Sequence, residues 1–439
     1  MVKSKSIIYL QTNQTKLLKS LLCFLSYAGM GSVFTLLGSC LLDYQILVGE
    51  KFTIVAYLVQ ERAIGYVFGS LLAGTVINYF NKIFTLSLTN LVIGISIIIS
   101  PWLSSFILLS FATVIGGIAL GFLEIYCNVY IAHLWGGQST NYLQALHMFF
   151  DLGALTAPLI SGPFLLPMDP EDYNNAQEQS KLTNTTTEYT KDDLLIQYPH
   201  LIFGIFLIII SIVFAILWFS ETDQQLDDHQ EQSTETKDEL DSWKRYLAIG
   251  LTALIINFEF GGQNLVSSLG PAFAVKSDLH MNKQDAAMLV TVYWSVCTIY
   301  RLFLIPMAIY WNEKKLIMFN VLIMITGASV MVSGADSNLT LAWISFSLLS
   351  MGFAPCFAFS FGLVQKYFSI SSRLASLIFL AGTLGESIHP WIVANYLESS
   401  SSFYTIYFAS IAYINSILCT VLVILIVSTF KRSQNYEPI

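Results

Sequence analysis

The sequence predicts an all-α membrane protein in which twelve transmembrane helices form two pseudo-symmetric halves of six helices each. Three observations lead to this prediction: apolar blocks of bilayer-spanning length, a shortage of charged residues, and short motifs that recur at a nearly constant spacing. Of the 439 residues, 55% are hydrophobic and only 11% are charged, whereas a soluble globular protein carries about 25% charged residues. The polar surface is too small for water on all sides, so lipid is expected to cover most of the molecule.

The apolar blocks each have roughly the 20 residues that a helix needs to cross a bilayer. Open sheets are excluded because unpaired backbone groups are costly in lipid, and the alternating pattern of an outer-membrane barrel is missing. The chain begins with a polar stretch, and its first apolar block is long enough to span, so no cleavable signal peptide is predicted. The predicted spans are 20–43, 53–78, 83–103, 106–132, 142–166, 199–219, 245–273, 284–308, 316–334, 340–362, 374–397 and 404–430.

Two polar segments interrupt this series and suggest a division of the chain. One lies at 167–198 after the fifth span, and the other, acidic and rich in Gln, lies at 221–242 after the sixth. We predict an N-terminal half at 1–220 with the first segment as an outer loop, a cytosolic linker at 221–242, and a C-terminal half at 243–439. The linker is interpreted as a solvated connection, with an interaction segment as the alternative.

Lys and Arg are unevenly distributed between the segments that join the spans. With the N-terminus in the cytosol, fourteen lie in inner segments and five in outer loops, so the positive-inside rule places both termini in the cytosol. A glycosylation sequon at Asn184 falls in the predicted outer loop, which agrees with this orientation. We therefore expect a multi-pass protein, glycosylated at Asn184, with the plasma membrane favoured. A second sequon at Asn13 lies on the cytosolic side and is unusable.

Three short motifs recur at an offset of 231 or 232 residues. Both members of each pair lie in equivalent spans that cross the membrane in the same direction, which indicates a parallel repeat about an axis normal to the membrane. This is the arrangement of the halves of a major facilitator transporter, in which the substrate site lies between the halves near mid-depth. The pairs are Leu37-Gly38 with Leu269-Gly270, Gly121-Phe122 with Gly352-Phe353, and Leu152-Gly153 before Pro158 with Leu384-Gly385 before Pro390.

Charged side chains at mid-membrane depth are costly and usually face a cavity or a partner. Glu124 follows a Gly-rich stretch at 116–121 that allows close helix packing, and we predict that it faces the cavity. Arg301 is interpreted as a structural charge that neutralises a neighbouring carboxylate or binds helix-end carbonyls, and Arg62 as a second structural charge. The other mid-span carboxylates, each a candidate for the cavity or for a buried polar contact, are Asp151, Glu259 and Glu386.

Sugar sites combine apolar walls with a few polar groups, typically an aromatic side chain that stacks on the ring and amides or carboxylates that hold the hydroxyls. Within the predicted spans, suitable side chains are Asn128, Gln144, Gln263 and Trp294. These residues are candidates for substrate binding, although their chemistry alone does not place them in one cavity.

The intramembrane histidines and cysteines have simpler interpretations. His147 and His389 could relay protons, but a structural role is favoured. All six cysteines fall inside apolar blocks and are interpreted as small buried hydrophobic residues. Their spacing indicates neither a metal site nor a disulfide framework.

The segments that contain these residues resemble a known family. Residues 123–128, Leu-Glu-Ile-Tyr-Cys-Asn, resemble the Leu-Glu/Asp-x-x-x-Asn element in the fourth helix of bacterial fucose–proton symporters and of the animal sodium-dependent glucose transporter branch. Residues 143–160 and the motifs around Trp294, Arg301 and Glu386 are also similar to that animal branch. The resemblance covers nearly the whole chain.

The resemblance implies roles for two carboxylates. In the fucose symporters, carboxylates of the first and fourth helices take part in sugar binding and proton coupling. Asp43 resembles the first-helix carboxylate through a loose alignment, and Glu124 matches the fourth, so these roles are implied for both. The loop at 74–82 departs from the superfamily pattern, because Asn78 replaces the usual Asp and the second glycine is missing.

The resulting hypothesis is a transporter of a hexose-type sugar that works by alternating access and is coupled to sodium or protons. Its expected partners are a small-molecule substrate and the lipid bilayer, with no nucleic acid, no cofactor and no metal site besides the coupling ion, and we expect a monomer. A facilitative or orphan carrier is one alternative, and a transporter-like receptor or scaffold is another. An enzyme is not expected, because the sequence lacks a phosphate loop, a nucleophile elbow and a metal-binding motif.

Overall fold

The computed structural model describes a helical chain, and within the described residues no strand occurs. Asn184 and most of the predicted linker at 221–242 lie outside the described residues, so their predicted roles stay predictions. The described residues are 14–136, 139–166, 191–221, 242–365, 367, 372–397 and 400–429.

The helices of the N-terminal part follow the six predicted spans, with ends shifted by a few residues. The first span is broken into two helices at Cys40, and the second span begins with a short helix separated from its main helix at Ala56. The helices are α1 (Gln14–Ser39), α2 (Leu41–Val48), α3 (Phe52–Val55), α4 (Tyr57–Val76), α5 (Lys82–Ile99), α6 (Phe106–Trp135), α7 (Ser139–Ser161) and α8 (Gln197–Glu221).

The helices of the C-terminal part follow the other six predicted spans. The tenth span is broken before Pro355, whose ring removes a backbone donor and disfavours a continuous helix. The helices are α9 (Ser242–Lys276), α10 (Lys283–Tyr310), α11 (Glu313–Val332), α12 (Leu339–Phe353), α13 (Cys356–Gln365), α14 (Ser372–Leu397) and α15 (Ser401–Thr429).

Ten segments of the described chain are long and apolar enough to cross a membrane by length and composition. The other two predicted spans are α4 and α9, which hold more polar residues. Helix α4 contains Gln60, Glu61 and Arg62, and α9 contains Glu259 and Gln263. Both helices pack against several neighbours, and Arg62, Glu259 and Gln263 are buried within the protein. The twelve-span prediction is consistent with this arrangement.

Two equivalent helices begin with the same capping residue. Asn81 accepts hydrogen bonds from the backbone of Ile83 and Phe84 at the start of α5, and Asn312 accepts one from Lys315 at the start of α11. An Asn at this position satisfies backbone donors that have no partner within the helix. The two caps are 231 residues apart, so the repeat found in the sequence extends to the helix ends.

Glycines allow equivalent helix pairs to approach closely in the two halves. A Cβ on Gly153 of α7 would lie 1.8 Å from the carbonyl oxygen of Ala28 on α1, and a Cβ on Gly385 of α14 would lie 2.0 Å from that of Asn257 on α9. Small residues permit such backbone contact between membrane helices. The repeated Leu-Gly motif therefore positions α7 on α1 and α14 on α9.

The main contacts between the two sets of helices lie along three pairs. Helix α7 packs on α10, α4 packs on α14, and α1 packs on α9. The repeat relates the α7–α10 pair to the α14–α4 pair. It relates the α1–α9 pair to itself, because α1 and α9 are equivalent helices of the two halves. All six cysteines are buried and free, as their positions in apolar blocks predict.

Candidate functional site

A cavity lies between the two halves. The N-terminal half contributes side chains from α1, α4, α6 and α7, and the C-terminal half from α9, α10, α13 and α14. The lining residues are Tyr27, Met30, Tyr66, Glu124, Gln144, His147, Phe150, Asp151, Glu259, Phe260, Gln263, Arg301, Ala354, Phe357, Ala358 and Glu386.

Close packing of α6 on α4 places Glu124 beside a tyrosine. A Cβ on Gly117 would lie 2.3 Å from the carbonyl oxygen of Arg62, and one on Gly121 would lie 2.3 Å from that of Tyr66. These contacts explain the predicted role of the Gly-rich stretch. They bring the Tyr66 hydroxyl to 2.5 Å from Glu124 Oε2, to which it donates a hydrogen bond.

The Glu124 cluster extends to α1 through Tyr27 and Asn128. Asn128 donates from Nδ2 to the Tyr27 hydroxyl and, at 3.0 Å, to the backbone carbonyl of Glu124. Tyr27 lines the cavity, whereas Asn128 lies behind it and is 5% exposed. Asn128 therefore positions Tyr27 and Glu124. The residue that lines the cavity is Tyr27 and not Asn128.

A second polar group of side chains lies on the opposite helices. Arg301 Nε of α10 is 3.3 Å from Asp151 Oδ2 of α7, forming an ion pair between the two halves. The pair is not aligned as a hydrogen bond, since neither atom has a hydrogen-bond partner among the described residues. On α9, Gln263 Nε2 donates to Glu259 Oε1 at 3.4 Å. Asp151, Glu259 and Arg301 are all nearly inaccessible to solvent.

Arg62 forms another connection between the halves. Its Nη1 donates to the carbonyl of Phe34 at 3.0 Å, and its Nη2 donates to Asn264 Oδ1 of α9 at 3.2 Å. Asn264 in turn donates to the backbone carbonyl of Glu386 at 2.7 Å. Arg62 thus lies behind the cavity wall, while the Glu386 side chain lines the cavity.

Carboxylates outnumber guanidinium groups at this site. Four carboxylates line the cavity, from Glu124, Asp151, Glu259 and Glu386, whereas Arg301 is the lining arginine. A buried carboxylate without an opposite charge is costly unless it takes up a proton or binds a cation. The site can therefore accommodate a proton or a bound cation in addition to its own arginines.

Aromatic rings form much of the apolar part of the lining. The Phe357 ring of α13 lies 4.7 Å from the His147 ring of α7, and Phe150 lies 5.6 Å from Trp294. Trp294 does not line the cavity: it is 1% exposed and donates from Nε1 to Ser267 Oγ at 3.1 Å. Trp294 was predicted to contact the substrate, but the aromatic residue that lines the cavity at this position is Phe150.

Two further predicted residues lie away from the cavity. Asp43 is 1% exposed on α2, and its Oδ2 accepts a hydrogen bond from the backbone N–H of Leu166 at 3.2 Å. The cavity geometry gives no support to its implied role in sugar or ion binding. His389 contacts Tyr407 and Asn257, which are structural contacts. Within the described residues, no group of three or more His, Cys, Asp or Glu side chains could hold a metal ion.

A family model described as Major Facilitator Superfamily matches residues 20–390, which is most of the sequence. The chain belongs to the major facilitator superfamily. It is 24% identical over 423 residues to the sodium-dependent glucose transporter 1 of Homo sapiens, covering 94% of this chain and 80% of that one. Its identity to the Xenopus laevis protein of the same name is 25% over 361 residues, covering 81% and 71% of the two chains.

Solved structures show the same fold. The proton:xylose symporter XylE bound to 6-bromo-6-deoxy-D-glucose has a TM-score of 0.67 at 13% identity, covering 91% of this chain and 94% of that chain. A bacterial homolog of the human lysosomal transporter Spinster, in an inward-facing and occupied conformation, has a TM-score of 0.60 at 13% identity, covering 93% and 96%. The chain is therefore a multi-pass membrane transporter of this superfamily.

Proposed function

We propose that this transporter moves a hexose-type sugar by alternating access and couples that movement to sodium or protons. The observation that supports the proposal most strongly is the composition of the cavity between the halves. Carboxylates, the amides of Gln144 and Gln263, and the rings of Phe150, Phe260 and Phe357 line one cavity. This combination of aromatic walls and several hydrogen-bonding side chains suits a compact polyhydroxylated ligand.

Glu124 is the proposed coupling residue. It is 2% exposed, faces the cavity, and already has a hydroxyl donor in Tyr66. Uptake of a proton, or provision of an oxygen ligand to sodium, would remove the cost of its buried charge. Because the cavity lies between the two halves, occupation by sugar and cation would bias which side of the site is open.

Relatives support the same proposal. Two animal proteins that are similar over most of the chain are named sodium-dependent glucose transporter 1, and one structural neighbour is a proton:xylose symporter. Sodium and protons therefore both stay in the proposal as coupling ions. We also propose a plasma-membrane location with both termini in the cytosol.

Uptake of labelled glucose into proteoliposomes of the purified protein tests this function. The vesicles would carry a sodium gradient, a proton gradient or neither, with empty vesicles as the control. We expect accumulation above equilibrium with one of the gradients. Equilibration without accumulation under every condition would contradict coupling and indicate a facilitative carrier. No entry of any hexose into vesicles with folded protein would contradict the sugar assignment.

A further inference from the structure

One wall of the cavity has polar atoms without hydrogen-bond partners. Asp151 Oδ1, Glu259 Oε2 and Arg301 Nη1 each lack a hydrogen-bond partner of good geometry among the described residues, although the Cys297 thiol approaches Asp151 and the Phe357 backbone approaches Glu259. The three side chains are only 1%, 0% and 6% exposed. Buried polar groups are nearly always hydrogen-bonded, so each exception needs an explanation. All three residues line the same cavity, and a bound ligand would satisfy all three atoms.

We propose that Asp151, Glu259 and Arg301 form a subsite that binds two neighbouring hydroxyl groups of a polyol. This proposal rests on the proposed function and assigns the part of the cavity that recognises the substrate. A hydroxyl is both a donor and an acceptor. One hydroxyl donates to Asp151 Oδ1 and accepts from Arg301 Nη1, and the second donates to Glu259 Oε2.

The charges of the three side chains favour hydroxyls over ions. Arg301 lies 3.3 Å from Asp151, so a cation bound between Asp151 and Glu259 would be repelled by the guanidinium at short range. An anion bound to Arg301 would be repelled by the two carboxylates. A neutral group that donates to the carboxylates and accepts from the guanidinium avoids both costs.

The Glu124 and Glu259 carboxylates share one feature of their hydrogen bonding. Each carboxylate has one oxygen with a donor within the protein: Glu124 Oε2 accepts from the Tyr66 hydroxyl, and Glu259 Oε1 accepts from Gln263 Nε2. The second oxygen of Glu259 is buried without such a donor among the described residues, and we assign that oxygen to the substrate.

The subsite includes residues of both halves. Asp151 belongs to α7, and Glu259 and Arg301 belong to α9 and α10. Because α7 packs on α10 at the boundary between the halves, a ligand held by all three side chains joins the halves. Binding at this wall therefore depends on the closed arrangement of α7 and α10.

Removal of single hydroxyls from the ligand tests the subsite. Competition of D-glucose and its monodeoxy derivatives with labelled D-glucose would be measured on the purified full chain, as wild type, Glu259→Gln and Asp151→Asn. The matched control is Glu61→Gln, whose carboxylate lies on α4 away from the cavity. Thermal unfolding of each variant would establish that it is folded, and Glu259→Gln avoids breaking the ion pair if Asp151→Asn does not fold.

In wild type and Glu61→Gln, removal of either of two adjacent hydroxyls should weaken binding about 10- to 100-fold, as for hydrogen bonds to charged groups. In Glu259→Gln, removal of one of these two hydroxyls should weaken binding by only about threefold or less, because the charged acceptor of that hydroxyl is missing. This coupling to one particular hydroxyl would not arise from a merely structural role.

Three results would overturn the proposal, and they differ in what else they affect. If removal of each hydroxyl weakens binding equally in all variants, the subsite is overturned and the proposal of hexose transport is unaffected. Stabilisation against unfolding by sodium alone, lost in Glu259→Gln, would replace the subsite with a cation site. If none of glucose, fucose, inositol or mannitol binds or stabilises the folded wild type, both the subsite and the proposed function fail.

Discussion

Arg62 donates to a carbonyl on α1 and to an amide on α9, while its guanidinium carbon lies 4.0 Å from the centre of the Phe34 ring. These contacts join segments that are distant in the sequence and agree with the structural role predicted for this charge. Because Arg62 is 3% exposed, its loss would leave the Phe34 carbonyl and Asn264 Oδ1 without this donor.

Arg62→Gln should therefore lower the stability of the folded protein by about 1–3 kcal/mol for each group left unsatisfied. Arg62→Lys should recover part of the loss, because an ammonium donates but lacks the planar two-pronged geometry of a guanidinium. Thermal unfolding of the purified protein in detergent would measure both effects. Lys51→Gln, at an exposed position, is the control, and an unfolding midpoint of Arg62→Gln equal to that of this control would contradict the assignment.

Sequence reasoning found the carboxylates of the cavity for a physical reason. A charge at mid-membrane depth is costly, so Glu124, Asp151, Glu259 and Glu386 are conspicuous in an apolar sequence, and all four line the cavity. Tyrosines carry no such cost. Tyr27 and Tyr66 could not be distinguished from the many other aromatic residues, which make up 14% of the chain, and only the packing of α1 and α4 on α6 places them at Glu124.

At the scale of helices, the repeated glycines mark the close contacts of α7 on α1 and of α14 on α9. Gly250 of α9 provides a natural contrast, because a Cβ there would have nothing within 4 Å. Alanine substitutions at Gly153, Gly385 and Gly250 therefore distinguish the effect of close packing from the intrinsic preference of alanine for a helix.

Gly153→Ala and Gly385→Ala should each lower the unfolding midpoint and the yield of folded protein, because the added methyl group would overlap a backbone carbonyl. Overpacking of this kind typically costs about 1–3 kcal/mol, and rigid backbone neighbours favour the upper end. Gly250→Ala should leave the midpoint unchanged or raise it, and thermal unfolding in detergent would compare the three. Equal midpoints for all three variants would show that the glycines do not determine these helix contacts.

Helix positions were predictable and helix breaks were not. Apolar runs predicted all twelve spans within a few residues, because the bilayer thickness sets their length. The interruptions at Cys40 and near Pro355 do not interrupt the hydropathy of their spans. The first break places Asp43 on a separate short helix, and the second places Phe357 at the start of α13, beside His147.

At the scale of the whole molecule, the proposed orientation rests on charge distribution and on one sequon. Expression in animal cells, followed by treatment with an N-glycosidase, would test it through Asn184 and Asn13. We expect Asn184→Gln to abolish the mobility shift and Asn13→Gln to leave it intact, because only an outer segment meets the glycosylation machinery. A shift lost in Asn13→Gln alone would require the opposite orientation.

The division into halves also belongs to this scale. The equivalent contacts of α7 on α10 and of α4 on α14 place the cavity between the halves, as the parallel repeat predicts. The identity of the substrate could not be predicted from these contacts, because substrates are recognised by individual side chains of the site and not by the fold.

The central claim is that a cavity carboxylate couples sugar movement to a cation, and Glu124→Gln tests it most directly. Proteoliposomes of wild type, Glu124→Gln and the control Glu61→Gln would be compared in gradient-driven accumulation of labelled hexose and in its exchange at equilibrium. We predict that Glu124→Gln abolishes gradient-driven accumulation while retaining exchange, because a neutral amide can neither take up a proton nor offer a charged ligand to a cation. Accumulation by Glu124→Gln at the level of wild type and Glu61→Gln would contradict coupling through this residue.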